Sequence, residues 1–290
     1  MDRSAETIPE KLARLDDELT RAERQLAQSI LANFPFSGLG SITKVARDAD
    51  VSTPTVVRMV KKLGFSGFPE FQEQLRTELE AAVSTPIAKH DNWAGDAPQE
   101  HILNRFAEAV FDNIRSTLAQ VHLEDFDRFS NLLADETRTI HIVGGRITHT
   151  LADYLFLHLQ VMRPGVIFIP SNANTWPHYL LDMRPEDVLV VFDVRRYENT
   201  TLRLAETAAE KGARILLFTD QWRSPIHALA DCTLSSRIAV PSAWDSNVTP
   251  LLLLETLLAA LQQREWNTSR GRMDELERMF DKTRFFRKFQ

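Results

Sequence analysis

The sequence predicts an α/β protein in two parts: an all-helical N-terminal domain and a C-terminal doubly wound domain built on a five-stranded parallel sheet. Three observations lead there. The chain has 290 residues, and at roughly 150 residues per domain that length accommodates about two compact units. Its first third alternates amphipathic helical segments with short breaks, whereas the remainder alternates helices with five short, almost continuously apolar runs. Such runs are characteristic of strands buried on both faces of a parallel sheet. With 43% hydrophobic and 26% charged residues, the composition is that of an ordinary globular chain and excludes disordered and low-complexity classes.

Taken in order, residues 20–33 (TRAERQLAQSILAN) put Leu26, Ile30 and Leu31 on one helical face, and Thr20 with Glu23 forms a T-x-x-E capping box. Helices follow at 41–49 and 54–63, separated by Asp50, Val51, Ser52 and Thr53; Pro54 is preset for a first turn and Gly64 supplies a stop. A fourth helix begins near Pro69, after which STPIAKHDNWAGDAPQ loses periodicity and is expected to be a linker. Helices at 101–120 and 123–134 lead into strands at 139–144, 166–170, 188–193, 214–219 and 232–236, with helices between them at 148–162, 176–183, 198–211 and 225–230. A long apolar helix at 246–264 is followed by a polar break and a tail of interleaved aromatics and bases. That tail carries too many acids for a one-sided basic helix, so it is expected to pack on its own domain or on a partner. The expected boundaries are a helical domain over 1–80, a linker over 81–100, the α/β domain over 101–266 and the tail over 267–290.

Charge narrows the function. The 34 Lys+Arg against 40 Asp+Glu give a net charge of −6, so the whole molecule is no general polyanion binder and any nucleic-acid contact must come from a local patch. One cysteine, Cys232, forms no intrachain disulfide, and no Cys/His spacing suggests a metal site. The first 20 residues lack the apolar core of a signal peptide, and no apolar run approaches the roughly 20 residues of a membrane span. A cytoplasmic protein with no membrane contact, cofactor, metal or catalytic residue is expected.

Residues 42–61, ITKVARDADVSTPTVVRMVK, fit a helix-turn-helix. Val45, Ala49, Val51, Val56 and Met59 supply the contacts that set one helix across the other, and Ala46 sits at the closest approach. Asp50 stands at the usual turn glycine, a tolerable exchange because Asp visits the left-handed region more readily than most residues. The second helix is then the one that enters a major groove. Ser52, Thr53, Thr55 and Arg58 are its candidate base-facing and N-terminal residues, and Lys61 and Lys62 its candidate phosphate contacts. From 52 to 67 there are three bases and no acid. This is the positive patch that the overall charge required.

At these residues the chain resembles the RpiR family of bacterial transcription regulators. The resemblance rests on LTRAERQLAQSIL, on STPTVVRMVKKLGFSGFPEFQ with its R-x-x-K-x-L-G-F-x-G-F-x-E-F run from Arg58 to Phe71, and on the α/β domain, which is similar to a sugar-isomerase (SIS) domain. It covers about residues 19–261. It implies an N-terminal domain that binds double-stranded operator DNA, a SIS domain that senses a phosphosugar or related anionic metabolite, and a homodimer or homotetramer.

The ligand turns depart from the family pattern. The first, GGRITHT, keeps Gly144 and offers Thr148 for a serine, but carries Arg146 where G-x-G-x-S has its second glycine. The second, DVRRYENTT, places Asp193 and Arg195 at the serine positions of S-x-S-G-x-T and Arg196 at the glycine. Two readings of these arginines stand side by side. In one, a guanidinium replaces the lost hydroxyls and holds a phosphate or carboxylate bidentately, helped by Thr148 and His149. In the other, an arginine pairs with Asp193 or a partner subunit and the pocket is altered. Trp176, His178 and Tyr179 read as core more than ligand mouth, and His141 as a buried, satisfied histidine; Ser242, Asp245 and Ser246 precede the last long helix, where a serine or the aspartate is expected to cap it, and the resemblance implies that the same end can face the ligand. Two alternative functions remain open: a SIS-type sugar-phosphate isomerase using His149 and Glu198, and a regulator whose SIS domain only oligomerises.

Overall fold

The computed structural model describes residues 6–32, 34–94 and 101–286. Five helices build the N-terminal unit: α1 (Ile8–Arg14), α2 (Arg21–Ala32), α3 (Ile42–Asp48), α4 (Thr53–Lys62) and α5 (Phe68–Val83). Local chemistry sets their ends. The predicted box at α2 is present in both directions, with the Thr20 amide donating to Glu23 at 2.9 Å and the Glu23 amide to the Thr20 hydroxyl at 3.4 Å. Ser41 and Ser52 cap α3 and α4 through their side chains. The R-x-x-K-x-L-G-F run acquires a physical meaning at the end of α4. Gly64 adopts φ +92°, its amide reaches the Lys61 carbonyl and that of Phe65 reaches Val60, which is the Schellman closure. Phe65 then packs edge-on against Phe71 of α5, ring centroids 5.6 Å apart. Val45, Ala46, Ala49, Val56 and Met59 are all buried in one core with Leu26 and Ile30.

Helix α6 (Pro86–Ala94) occupies the stretch expected to be a linker. This corrects the reading from periodicity. Over 86–91, the part of this nine-residue helix whose side chains are described, Lys89 is the buried residue and Ile87 is exposed, so no apolar periodicity reveals it. The remainder of the expected linker, 95–100, lies outside the described residues.

The α/β part runs α7 (Ile102–Leu118), α8 (Leu123–Ala134), β1 (Ile140–Gly144), α9 (His149–Met162), β2 (Val166–Phe168), α10 (Trp176–Leu181), β3 (Val188–Phe192), α11 (Asn199–Glu210), β4 (Arg214–Asp220), β5 (Cys232–Ser236), α12 (Val248–Arg264) and α13 (Trp266–Thr283). The segment expected as a helix at 225–230 is a 3₁₀ turn, Pro225–Leu229. All strand pairs are parallel, in the order β2-β1-β3-β4-β5, with Ile140 level with both Val166 and Val188. Both faces are covered, which accounts for the continuous apolar runs. Ile140, Ile142, Val190 and Phe218 meet α8, α9 and α12, whereas Val143, Leu189, Val191 and Leu217 meet α10 and α11. Trp176 belongs to this second core, its indole donating to the Pro170 carbonyl at 2.7 Å. His141 is buried as expected, but both ring nitrogens lack a hydrogen-bond partner and Asp187 stands 3.8 Å away, so it is not satisfied. Only Glu265 separates α12 from α13, and the tail helix packs on its own domain, with Arg272 donating to the carbonyls of Gln160 and Val161. Among the described residues no helix is long and apolar enough to cross a membrane.

The two parts are docked. Arg237, just after β5, grips Glu10 of α1 through Nε at 2.9 Å and Nη2 at 2.6 Å, both side chains being almost fully buried. The Thr7 hydroxyl donates to the Gln221 carbonyl, and Ala82 of α5 packs with Trp222 and Ile238.

Candidate functional site

The candidate residues gather in two places. The first is α4. Asp50 takes φ 50°, the left-handed conformation the turn needs, and α3 and α4 close over it with the Val51 amide on the Ala46 carbonyl. Arg58 and Lys61 are exposed on the outer face, and Ser52 and Thr53 lie at the helix start. Two of the expected contacts are already engaged. Thr55 is buried, its hydroxyl 2.8 Å from that of Ser52 and accepting from Arg58 Nη2 at 3.2 Å. It is therefore a capping and positioning residue, not a base reader. Lys62 donates to Glu23 at 2.8 Å and to the Glu18 carbonyl at 2.9 Å. Burial alone would raise Glu23, but Lys62 and Thr20 outweigh it and hold the carboxyl below its usual value. The outward charge of α4 thus reduces to Arg58 and Lys61.

The second place is a cavity of about 640 Å³ at the carboxyl ends of β1 and β3. Strand order reverses between these two strands, which is where open α/β sheets receive ligands. Its walls are the β1–α9 turn, the β3–α11 turn, the loop before α12, and Ser84, Pro86 and Lys89 from the helical connection. Arg146 and Arg196 are exposed there, and neither guanidinium makes a hydrogen bond or ion pair within the described residues. Four cations, Lys89, Arg146, Arg195 and Arg196, face three carboxyls, Asp193, Glu198 and Asp245. Burial pushes Asp193 up to about 7, Ser224 opposing and Asp220 adding to the rise. The pocket is positive inside a negative protein.

Several expected ligand contacts are instead structural. The Arg195 side chain is only 4% exposed; its Nε and Nη2 clamp Asp245 at 2.8 and 2.5 Å, its Nη1 donates to the Ala81 carbonyl, and it lies 4.3 Å over Trp222. Of the two arginine readings, the ion pair describes Arg195, with Asp245 of the same chain as its partner in place of Asp193. Thr148 is buried, donating to the Phe192 carbonyl at 2.7 Å and accepting from the Gly145 amide at 2.9 Å, so it knits β1 to β3. His149 does not line the cavity; its ring packs 4.7 Å from Phe168. Gly144 is required by contact, since a Cβ there would lie 2.7 Å from the backbone of Thr148 and His149. Glu198 accepts from the Arg146 amide at 2.8 Å, placing an internal carboxylate on the turn. The cap position of α12 falls to Asn247, which makes no side-chain cap hydrogen bond, so none of Ser242, Asp245 and Ser246 is the cap; Ser246, one residue before it, accepts from the Val248 amide, and Asp245 turns into the cavity. Sequence reasoning missed Lys89, which has no motif around it.

Comparison with known proteins agrees with this architecture. The model of the rpiR-family helix-turn-helix domain matches residues 7–82, and that of the SIS domain matches residues 132–260. The chain is 28% identical over 265 residues to the HTH-type transcriptional regulator HexR of Pseudomonas aeruginosa, covering 86% of each. It is 29% identical over 224 residues to the Bifunctional protein glk of Paraburkholderia xenovorans, covering 74% of this chain but only 33% of that protein. The Vibrio vulnificus NanR protein, solved in complex with ManNAc-6P, shares the fold at a TM-score of 0.54 and 17% identity, covering 95% of this chain and 98% of its own. Fold and pocket together define a helix-turn-helix protein with a SIS domain. The chain belongs to the RpiR family of transcriptional regulators.

Proposed function

We propose that the protein binds operator DNA through α4 and answers to a small anionic metabolite of the phosphosugar class held in the β1/β3 cavity. The observation that carries this is the pairing of exposed cations with no carboxylate partner among the described residues at both places, Arg58 and Lys61 on α4 and Arg146 and Arg196 in the cavity, within a chain of net charge −6. Phosphates of a duplex and of a sugar ester are the polyanions such groups suit. The phosphosugar bound to NanR supports the ligand class. Arg58 is the base-reading residue, Lys61 a phosphate contact, and Ser52 and Thr53 flank the phosphate at the start of the helix. In this reading a DNA-binding unit over 1–80 is joined to a sensor over 101–266 with its tail, and Ser84, Pro86 and Lys89 of the stretch between them wall the pocket. A homodimer or homotetramer belongs to this reading, because one helix-turn-helix reads too few base pairs and a palindrome needs a two-fold partner. Catalysis does not belong to it, since of the two candidate bases only Glu198 faces the cavity.

The test is selection of bound duplexes from a random library by the full chain, then release by phosphosugars and sugar acids. Recovery of a palindromic sequence whose binding responds to one of these anions is the expected result. Failure to enrich any duplex refutes the DNA half, and turnover of a hexose or pentose phosphate refutes the non-catalytic half.

A further inference from the structure

Asp245 sits at the meeting point of three segments. Its Oδ1 receives both Arg195 Nη2 at 2.5 Å and Lys89 Nζ at 2.6 Å, and its Oδ2 receives Arg195 Nε at 2.8 Å. One carboxylate therefore serves two cations in a site where the Lys89 side chain is 9% and the Arg195 side chain 4% exposed. The trio carries one positive charge in excess while largely removed from water, and the further carboxyl, Asp220, stands on the Arg195 side, so Lys89 is where another anion is favoured. The two cations are unequally tied. Arg195 is also held by Ala81, by Trp222 and through its own amide by Asp220 at 2.7 Å, whereas the Lys89 ammonium has, among the described residues, Asp245 as its partner. Burial pushes Lys89 below the ordinary lysine value, and Asp245 only partly compensates.

Lys89 lines the same cavity as Arg146 and Arg196. It stands on α6, outside the residues 132–260 of the SIS match, and α6 follows α5 after only Ser84 and Thr85. Helix α5 in turn shares a core with α4 through Phe71 and Leu75.

We infer that Lys89 is an anion-binding residue of the sensor pocket, and that its exchange between Asp245 and a bound phosphate group links pocket occupancy to the helical domain. This rests on the proposed anion site in the cavity. When phosphate arrives, Arg195 keeps Asp245 bidentately and the α/β side stays closed. Lys89 is the member able to leave, and it carries α6 with it. Asp245 is thus an internal competitor of the ligand.

The experiment titrates the full chain with inorganic phosphate against chloride at equal ionic strength, reading affinity by calorimetry and backbone exchange by mass spectrometry. In wild type, phosphate binds and changes amide exchange over 86–94. Lys89→Gln weakens phosphate by about tenfold, the scale of one charge-assisted contact, and abolishes the change over 86–94. Lys89→Arg keeps both. Asp245→Asn, which removes the competitor, tightens phosphate several-fold. If Lys89→Gln alters the protection of β1 and β3, the arginine and asparagine variants decide. Unchanged phosphate affinity in Lys89→Gln with an intact sheet, or no tightening in Asp245→Asn, overturns the inference while leaving the anion pocket standing. Absence of phosphate binding in wild type overturns the anion pocket and this inference together.

Discussion

The outer face of α4 and the β1/β3 cavity began with the same kind of evidence, basic and hydroxyl residues at motif positions, and the structure treats them differently. On α4 the chemistry stays local. Ser52 caps, Thr55 braces Arg58, Gly64 ends the helix, and the longest-range engagement among the candidates is Lys62 with the Glu18 carbonyl, 44 residues back. In the cavity the chemistry is spent across long separations. Arg195 finds Asp245 fifty residues on and Ala81 more than a hundred back. A motif position specifies a donor; only the fold specifies whether its capacity remains available to a ligand.

The seam between the two regions gives the largest expected effect. Arg237→Ala leaves the Glu10 carboxylate buried without its guanidinium, and breaking such a pair costs about 3–5 kcal/mol. Denaturant unfolding is expected to show that loss together with separation of the helical and α/β transitions; a single unshifted transition would show the two regions to be held by other means.

Next in size is a pH effect at Glu78, where α5 meets α1. Burial raises its carboxyl from 4.5 to about 7, with Gln74 and the Ile8 amide pulling down and Glu10 pushing up. Below pH 4.5 folded and unfolded chains both hold the proton and the group costs nothing. Between there and about 7 the unfolded chain ionises first, so stability falls as pH rises, and above about 7 the loss levels off. By that linkage Glu78→Gln should match wild type near pH 4 and exceed it by about 3 kcal/mol at pH 8. A constant difference across pH would remove Glu78 as the cause.

On the DNA side, Arg58→Ala is expected to cost about 1–3 kcal/mol in operator binding and to relax sequence preference. In the cavity, Arg196→Ala should weaken phosphosugar binding with no change in melting temperature, whereas Arg195→Ala should lower the melting temperature because it strips Asp245 and Ala81 of their donor. Thermal-shift assays of the two variants with and without ligand compare them directly, and equal effects would erase the distinction between a free and a spent arginine. The smallest effect separates two neighbours on α4. Lys61→Ala should lower the salt slope of DNA binding by about one charge. Lys62→Ala should leave that slope and lose up to about 1 kcal/mol of stability through Glu23.

Much of the architecture was legible because it is written in short-range patterns. The capping box at Thr20 and Glu23, Asp50 in the turn, Gly64 at the stop and the continuous apolar strands each state a local geometry that any surrounding fold must honour. The candidate site was legible in part. Arg58, Lys61, Arg146 and Arg196 face solvent as the motif positions suggested, while Thr55, Lys62, Thr148, His149 and Arg195 are turned inward. Helix α6 escaped notice because nothing periodic marks it, and Lys89 escaped with it.

By itself, then, the sequence determined the two-part organisation, the helix-turn-helix, the parallel sheet and the position of the ligand turns, because each depends on residue spacing within one element or one connection. The tertiary structure alone decided which cations remain free, that the connection to the helical domain forms a pocket wall, and that Asp245 joins Arg195 to Lys89 across 50 and 156 residues of chain. Charge pairing acts through space, and in a folded interior the strongest partner is the nearest buried carboxylate, wherever in the chain it comes from.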